Sequence, residues 1–240
     1  MKRKITMIIS FIIMITTGCF IINYYSNNYK TDKEFENLRN IMDKASDTKT
    51  ENIDNKTNIT EKTEMLNKYK DIYNKNKDII GWISDYNNID YPIMQNKKDS
   101  DFYIHKSFNK EYSFSGCLYV QNHIDINSDI IIINGHNMKN GTMFGTLDNY
   151  LDKQYFNKHS TLYYSDLFNE YKLEIQACCR LTTNDFNYGT CDNKEKMLDN
   201  LKKYILIGSL DNIDNDNNIV ILNTCSYHSK NGRLLVVCKY

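Results

Sequence analysis

Residues 219–237 read IVILNTCSYHSKNGRLLVV, two runs of β-forming residues on either side of a polar turn. The first run, 219–222, and the second, 234–237, are wholly aliphatic, which is typical of strands in the interior of a sheet. The short connection between them predicts an antiparallel hairpin with neighbouring strand ends. Cys225 then lies at the polar end of the first strand, and Arg233 lies at the start of the second.

Similar short β-forming runs recur before this hairpin, separated by polar turns: 82–83, 89–94, 117–120, 130–133, 162–164 and 171–179. Apolar residues at helical spacing predict one helix between two late strands, from about Asn193 to Ile207. The same spacing from Met65 to Ile80 predicts a helix that precedes the strands and stops at Gly81. About eight strands with few helices predict a mainly β (α+β) fold, a closed or nearly closed β-barrel.

The N-terminal part of the chain differs from the rest in composition. Three basic residues follow Met1, and residues 5–25 contain no charged side chain. About 20 apolar residues span the hydrocarbon core of a bilayer, and preceding basic residues favour a cytoplasmic N-terminus. We therefore expect a cytoplasmic N-terminus at 1–4, a single-pass transmembrane signal-anchor at 5–25, a stalk and linker at 26–64 with a short helix near Phe35, and an extracellular catalytic domain at 65–240.

Two other readings of the N-terminus would also export the remainder of the chain. One is a cleaved signal peptide, although no small-residue cleavage site follows the apolar run. The other is a lipoprotein signal that ends at Cys19, although threonine stands where such signals usually carry leucine. We prefer the uncleaved anchor, which makes the membrane a partner of this chain.

The charge balance and the cysteine spacing exclude some classes of partner and site. The 30 basic and 30 acidic residues balance, so no overall field attracts nucleic acid, and we expect no nucleic-acid partner. The seven cysteines are odd in number and lack the spacing of a zinc site, so we expect no metal and no cofactor. Most of them are read as small buried apolar residues. Cys225 is the exception, because a polar turn is where a reactive thiol would be accessible.

Three residues at predicted strand ends are sufficient for acyl transfer. His136 follows the β-branched run 130–133, and Cys225 and Arg233 flank the hairpin turn. A free thiol is only about 3% thiolate at pH 7, so a nearby imidazole would act as its base and later protonate a leaving amine. An arginine near the sulfur would stabilise the oxyanion formed at a carbonyl. His228 is closer in sequence to Cys225, but the tight turn would aim it poorly, so we rank it below His136.

These segments resemble the signature of sortases, transpeptidases that attach surface proteins in Gram-positive bacteria. Further segments are similar to class B sortases: DIIGWI and IDYPI within residues 78–93, DFYIH at 101–105 and NGTMFGTL at 140–147. The resemblance covers about residues 65–240. It implies the sortase-like eight-stranded β-barrel, with N-terminal helices and one helix inserted between late strands.

The resemblance also implies a reaction. Cys225 would cleave a C-terminal sorting motif after threonine and form a thioester, with His136 as acid and base and Arg233 orienting the substrate. The implied partners are surface proteins that bear the motif, and an amine of a peptidoglycan cross-bridge or lipid-linked precursor. The candidate substrate-binding residues are Asn223, Thr224, Ser226, Ile104, Thr183 and Tyr188.

The chain departs from the class B pattern at three positions. Asn223 replaces a common serine, Ser226 replaces an acidic residue of some members, and Cys117 stands where a small residue is usual. No acidic cluster of the calcium-binding kind found in class A members is visible. Two alternatives stay open: an extracellular cysteine peptidase that only hydrolyses, and a non-catalytic surface binding module. The order of histidine before cysteine argues against a papain-like peptidase.

Overall fold

A computed structural model describes residues 2–47, 64–185 and 193–240 of the chain. The helices are α1 (Lys2–Asp47), α2 (Asn67–Lys75), α3 (Lys153–Lys158) and α4 (Lys194–Leu201). Short 3₁₀ helices cover Phe102–His105, Leu147–Leu151 and Lys202–Tyr204. The strands are β1 (Ile79–Ser84), β2 (Asp90–Met94), β3 (Leu118–Tyr119), β4 (Ile130–Asn134), β5 (Thr161–Asp166), β6 (Glu170–Thr182), β7 (Ile205–Gly208), β8 (Ile219–Cys225) and β9 (Gly232–Lys239).

Eight strands close a barrel in the order β5-β1-β2-β3-β4-β8-β9-β6, and β6 returns to pair with β5. The predicted eight-stranded barrel is therefore confirmed, and β7 adds a ninth strand beside β6. β8 lies parallel to β4 on one side and antiparallel to β9 on the other. The predicted hairpin is present, with Cys225 paired to Arg233.

The aliphatic run of β8 is buried on both faces. Val220 and Leu222 belong to the apolar cluster that fills the barrel. Ile219 and Ile221 belong to a second cluster, where the sheet packs against α4 through Leu201. Successive strand residues point to opposite faces, so a strand between two apolar layers needs an uninterrupted aliphatic sequence. Each such side chain stabilises the fold by about 1.5–3 kcal/mol through burial.

Two predicted helices end earlier than their apolar spacing indicated. The helix predicted to reach Ile80 ends at Lys75, and the chain enters β1 at Ile79. Gly81 is therefore not a helix stop. A Cβ there would lie 2.3 Å from the Ser165 carbonyl oxygen, so the close pairing of β1 with β5 requires glycine.

The helix predicted to reach Ile207 is wrong at its C-terminal end. It stops at Leu201, and Ile205–Gly208 form β7 along β6. Pairing with β6 outweighs the helical spacing of the apolar residues, because long-range contacts override local preference.

Helix α1 runs without a break through the predicted anchor and the predicted stalk. In its first part an 18-residue window has a mean hydropathy of 2.5, and none of it is buried. Its second part is packed on the domain, where Thr31, Phe35 and Leu38 are buried. The short helix predicted near Phe35 is thus one stretch of a longer helix, and most of the predicted linker lies outside the described residues.

Candidate active site

Cys225, His136 and Arg233 line one cavity of about 360 Å³. Cys225 is the last residue of β8, and Arg233 pairs with it from β9. His136 lies just beyond β4, which is the other neighbour of β8. Because β4 and β8 are parallel, their C-terminal ends meet at the same rim of the barrel. The three residues selected from the sequence are therefore brought together at this rim.

The Cys225 thiol has a positively charged neighbour. Nη1 of Arg233 donates to Cys225 Sγ at 3.4 Å and also to the Gly232 carbonyl oxygen at 3.1 Å. The second bond holds the guanidinium at the strand end. The contact places a cation within hydrogen-bond distance of the sulfur. Cys225 is only half-buried, so the sulfur is also reachable from the cavity.

Four other cysteines lie in the apolar core: Cys117, Cys178, Cys179 and Cys238. Burial raises the pKa of Cys178 and of Cys179 to about 12, and it raises the pKa of Cys117 and Cys238 as well. These thiols stay protonated at neutral pH and are unreactive for that reason. Cys225 differs from them in both exposure and charge environment.

The imidazole of His136 is held by the preceding 3₁₀ helix. Its Nε2 lies 2.9 Å from the Ile104 carbonyl oxygen, and its ring stacks on His105 with centroids 5.2 Å apart. A carbonyl oxygen only accepts hydrogen bonds, so Nε2 carries the proton and the lone pair is at Nδ1. Burial, and secondarily His105, lower the pKa of His136, although the bond to Ile104 opposes this. His136 is therefore neutral at pH 7.

Hydrogen bonds join the loop that carries His136 to the end of β8. The Thr224 hydroxyl donates to the Gly135 carbonyl oxygen at 2.8 Å. The side-chain amide of Asn137 donates to the Cys225 carbonyl oxygen at 2.9 Å. The residues on either side of His136 are thus bonded directly to Thr224 and Cys225. This fixes the imidazole relative to the thiol without a bond between the two side chains.

The predicted substrate-binding residues fall into three groups. Ile104, Thr183, Asn223 and Thr224 line the cavity. Ser226 does not line it: the residue is buried, its N–H donates to the Gly232 carbonyl oxygen, and its hydroxyl bonds to His228. The turn back to Gly232 directs the Ser226 side chain towards His228 and away from the cavity. Tyr188 lies outside the described residues.

His228, the competing base, is engaged elsewhere. Its Nδ1 lies 3.0 Å from the Ser226 hydroxyl and its Nε2 lies 3.0 Å from the Ser229 hydroxyl. It does not line the cavity around Cys225. Both ring nitrogens have serine partners inside the turn, in agreement with the lower rank given to this histidine.

Sequence reasoning missed several residues that line the cavity: Asp101, Tyr119, Gln121, Asn134 and Gly135. Their shared signal is a polar or small residue at the end of a buried strand or in the adjoining loop. Asn134 accepts a 2.6 Å hydrogen bond from Nδ2 of Asn223. Oδ1 of Asn223 is buried and has no hydrogen-bond partner within the described part of the chain. An unpaired acceptor is therefore enclosed in the cavity wall at the end of β8.

The chain is similar to class B sortases in both sequence and structure. No protein-family model matches the sequence. The chain is 32% identical over 183 residues to Sortase B of Listeria monocytogenes serovar 1/2a, which is 72% of this chain and 74% of that protein. The crystal structure of sortase B from Bacillus anthracis in complex with AAEK1 superposes with a TM-score of 0.72 at 28% identity, over 90% of this chain and 98% of that one.

A sortase B–substrate complex from Staphylococcus aureus superposes with a TM-score of 0.74, over 89% of this chain and 97% of that one. At 23% identity this likeness supports the fold.

Proposed function

The chain belongs to the class B sortases and is a transpeptidase, and on this premise we propose that Cys225 cleaves a C-terminal sorting motif after threonine. The cleaved protein, held on Cys225 as a thioester, would then be transferred to a cell-wall amine. The observation that carries this proposal is the 3.4 Å contact between Arg233 Nη1 and Cys225 Sγ in a cavity that His136 also lines. It supplies a nucleophile, a cation for the oxyanion and an acid–base group at one place.

The first half-reaction forms the acyl-enzyme. His136 takes the proton of the Cys225 thiol, and the sulfur attacks the threonine carbonyl carbon of the motif. The carbonyl oxygen becomes an oxyanion, which the Arg233 guanidinium stabilises. As the oxyanion collapses, the C–N bond breaks and protonated His136 gives its proton to the leaving amine. The product is a thioester between the threonine carbonyl and Cys225.

The position of the proton on His136 favours this role. The Ile104 carbonyl holds the Nε2 hydrogen, so Nδ1 is the nitrogen that can take and return a proton. The lowered pKa keeps the ring neutral at pH 7, which is the form a base needs.

The second half-reaction restores the enzyme. An amine that enters the cavity loses a proton to His136 and attacks the thioester carbonyl. The carbon–sulfur bond breaks, a new amide forms, and Cys225 regains a proton. We assign the amine to a peptidoglycan cross-bridge or to its lipid-linked precursor, in line with the family resemblance. Water in place of the amine would give hydrolysis.

The cavity wall supports an extended peptide as the substrate. Asn223 lines this wall, and its side-chain amide is fixed by the bond that it donates to Asn134, so it can form a rigid border for the peptide. Ile104 is 36% exposed and offers an apolar contact to a motif side chain, while Thr183 and Thr224 add hydroxyl groups. Ser226 is not assigned to the groove, because its side chain bonds to His228 inside the turn.

The first part of α1 supports a membrane anchor. We assign residues 5–25 to a single-pass span with its N-terminus inside the cell, so the catalytic domain lies outside. The apolar side chains of this part are exposed, and three basic residues precede them. Apolar surface of this extent is stable in lipid and not in water.

The test is peptide cleavage by the full-length protein in detergent, using a library of candidate motifs and an added amine. Cys225→Ala should abolish both cleavage and transfer. Cys19→Ala is the matched control, because this thiol is exposed on α1 and should have no part in the reaction. Retained cleavage by Cys225→Ala would overturn the assignment.

The products separate the remaining readings. Transfer predicts a peptide–amine adduct whose yield rises with amine concentration. A free acid that forms at the same yield at every amine concentration would identify a hydrolytic peptidase. Binding of motif peptides without cleavage by the wild-type protein would identify a binding module.

A further inference from the structure

The loop between the 3₁₀ helix Phe102–His105 and β3 is bonded to α1. We name residues 107–116 the anchor loop. The side-chain amide of Asn27 donates to the Tyr112 carbonyl oxygen at 2.9 Å and accepts from the Phe114 N–H at 2.8 Å. One turn later, the buried Thr31 hydroxyl lies 3.0 Å from the Ser113 hydroxyl. These contacts fix the level of the anchor loop along the helix.

The anchor loop brings aromatic rings beside the apolar part of α1. The Phe114 ring lies 5.2 Å from the Tyr24 ring and 6.4 Å from the Phe20 ring. Tyr112 packs on Phe114 at 5.2 Å and is 54% exposed. An isolated exposed ring is ordinary in a soluble domain. These rings instead extend an apolar helix surface sideways from Phe20.

Along the axis of α1, these rings lie close to the end of the apolar segment. The mainly apolar run of α1 ends near Ile22. A helix rises about 1.5 Å per residue, so Tyr24 lies only about 3 Å farther along the axis. Tyrosine concentrates at this level in membrane proteins, because its ring faces hydrocarbon and its hydroxyl faces water and headgroups. Tyr25, which follows at once, is 68% exposed.

We propose that Tyr112 and Phe114, together with Tyr24 and Tyr25, form a surface that docks the catalytic domain on the lipid bilayer. The partner is the interfacial layer of the membrane, since the surface is continuous with the helix segment that enters it. This inference rests on the proposed membrane anchoring of α1. It adds a second contact, made by the catalytic domain itself.

The anchor loop also contacts the group that holds the catalytic histidine. The Tyr112 ring lies 6.2 Å from the His105 ring, which stacks on His136. Gly116 has a φ of +59°, and a Cβ there would lie 2.3 Å from the Ile104 carbonyl oxygen. That oxygen is the acceptor for His136. The membrane-docking surface and the catalytic imidazole are thus joined through one short helix.

Docking has a consequence for substrate choice. Ring centroids from Phe114 to Tyr112, to His105 and to His136 are separated by 5.2, 6.2 and 5.2 Å in turn. These short steps place His136, at the cavity wall, near the proposed docking surface. This position favours donors and acceptors that are tethered to the same leaflet over the same peptides free in solution, because tethering raises their concentration at the cavity.

The experiment uses the full-length chain reconstituted in phosphatidylcholine–phosphatidylglycerol vesicles, with and without bromine near the headgroup end of the acyl chains. Tyr112→Trp is compared with Tyr86→Trp, a matched control whose native tyrosine is 77% exposed in the β1–β2 turn. The single native tryptophan, Trp82, is buried and gives the same background in both variants. We expect brominated lipid to quench Tyr112→Trp emission, while Tyr86→Trp loses no more than the wild type.

Asn27→Ala added to Tyr112→Trp should reduce this quenching, because it removes both amide bonds to the anchor loop. Equal quenching of Tyr112→Trp and Tyr86→Trp in vesicle-bound protein would overturn the docking surface and leave the anchor intact. Emission from Tyr112→Trp that depends on protein concentration but not on bromine would also overturn it, in favour of a contact between chains. Failure of the chain to sediment with vesicles would refute the proposed anchoring first, and the docking surface with it.

Discussion

The two halves of β8 differ in what surrounds them, although the strand is continuous. From Ile219 to Leu222 every side chain is buried between two apolar layers. From Asn223 to Cys225 the strand reaches the rim, and its side chains bond to the loop after β4 and to Arg233. On the proposed function, the first half contributes to stability and the second half carries the chemistry. Pairing with β4 keeps the two in a fixed register.

The strongest test of this division is the loss of the cation at the rim. Arg233→Gln should lower kcat/KM for motif cleavage by about 10²–10³-fold, the effect of removing one oxyanion donor. The thermal unfolding temperature should change little, because Arg233 is not part of the apolar core. Arg180→Gln is the matched control, since Arg180 lies on β6 opposite Leu234 and does not line the cavity. Equal losses of activity in both variants would contradict the assignment of Arg233.

In the first half of the strand we expect a smaller effect, and we expect it on stability and not on activity. Ile221→Val removes one buried methylene and should lower the free energy of unfolding by about 0.5–1.5 kcal/mol. The kcat/KM of the folded protein should remain that of the wild type, because Ile221 faces the layer under α4. Chemical denaturation and steady-state kinetics measure the two quantities. A changed kcat/KM would show that the halves of β8 are not independent.

The smallest effect concerns pH. Burial and, to a lesser degree, His105 lower the pKa of His136, so its neutral form persists below pH 6.5 and is lost as the pH falls further. His105→Ala removes the neighbouring charge, so the pKa of His136 should rise. The acidic limb of the pH profile of kcat/KM should therefore move to higher pH. His228→Ala should leave the limb in place, and a limb that His105→Ala does not move would contradict the assignment of His136 as the base.

The parts of the fold that sequence predicted are those set by local pattern. The aliphatic runs of β4 and β8 and the turn before Arg233 each carry their own signal. The missed parts depend on distant partners. Ile79 and Ile205 enter strands because they pair with Met94 of β2 and Cys179 of β6, and the local sequence does not indicate these partners. Helix α1 continues because Thr31 and Phe35 pack on a domain that the sequence near them does not describe.

The site shows the same division. Cys225 and Arg233 are joined by a hairpin, so their proximity follows from the short stretch between them. His136 was selected by its chemistry and by its place after a strand, and only the parallel pairing of β4 with β8 brings it to the rim. Asp101 begins the segment DFYIH that resembles class B sortases, but neither Asp101 nor Gln121 was assigned to the site, because their loops reach the cavity from elsewhere in the barrel. The catalytic roles and the part of Tyr188 stay predictions.

Because helix α1 is unbroken, the number of residues in it determines the rotation of the domain about the helix axis. An α-helix rotates about 100° per residue, so one residue inserted between Ile22 and Asn27 would swing the whole domain by that angle about the helix axis. Tyr112 and Phe114 would then leave their side of the axis, while the height of the domain would change by only about 1.5 Å. An insertion of seven residues, about two full turns, would restore the heading of the cavity. If α1 is the membrane anchor, the direction in which the cavity faces depends on the rotation of this helix as much as on the distance of the domain from the membrane.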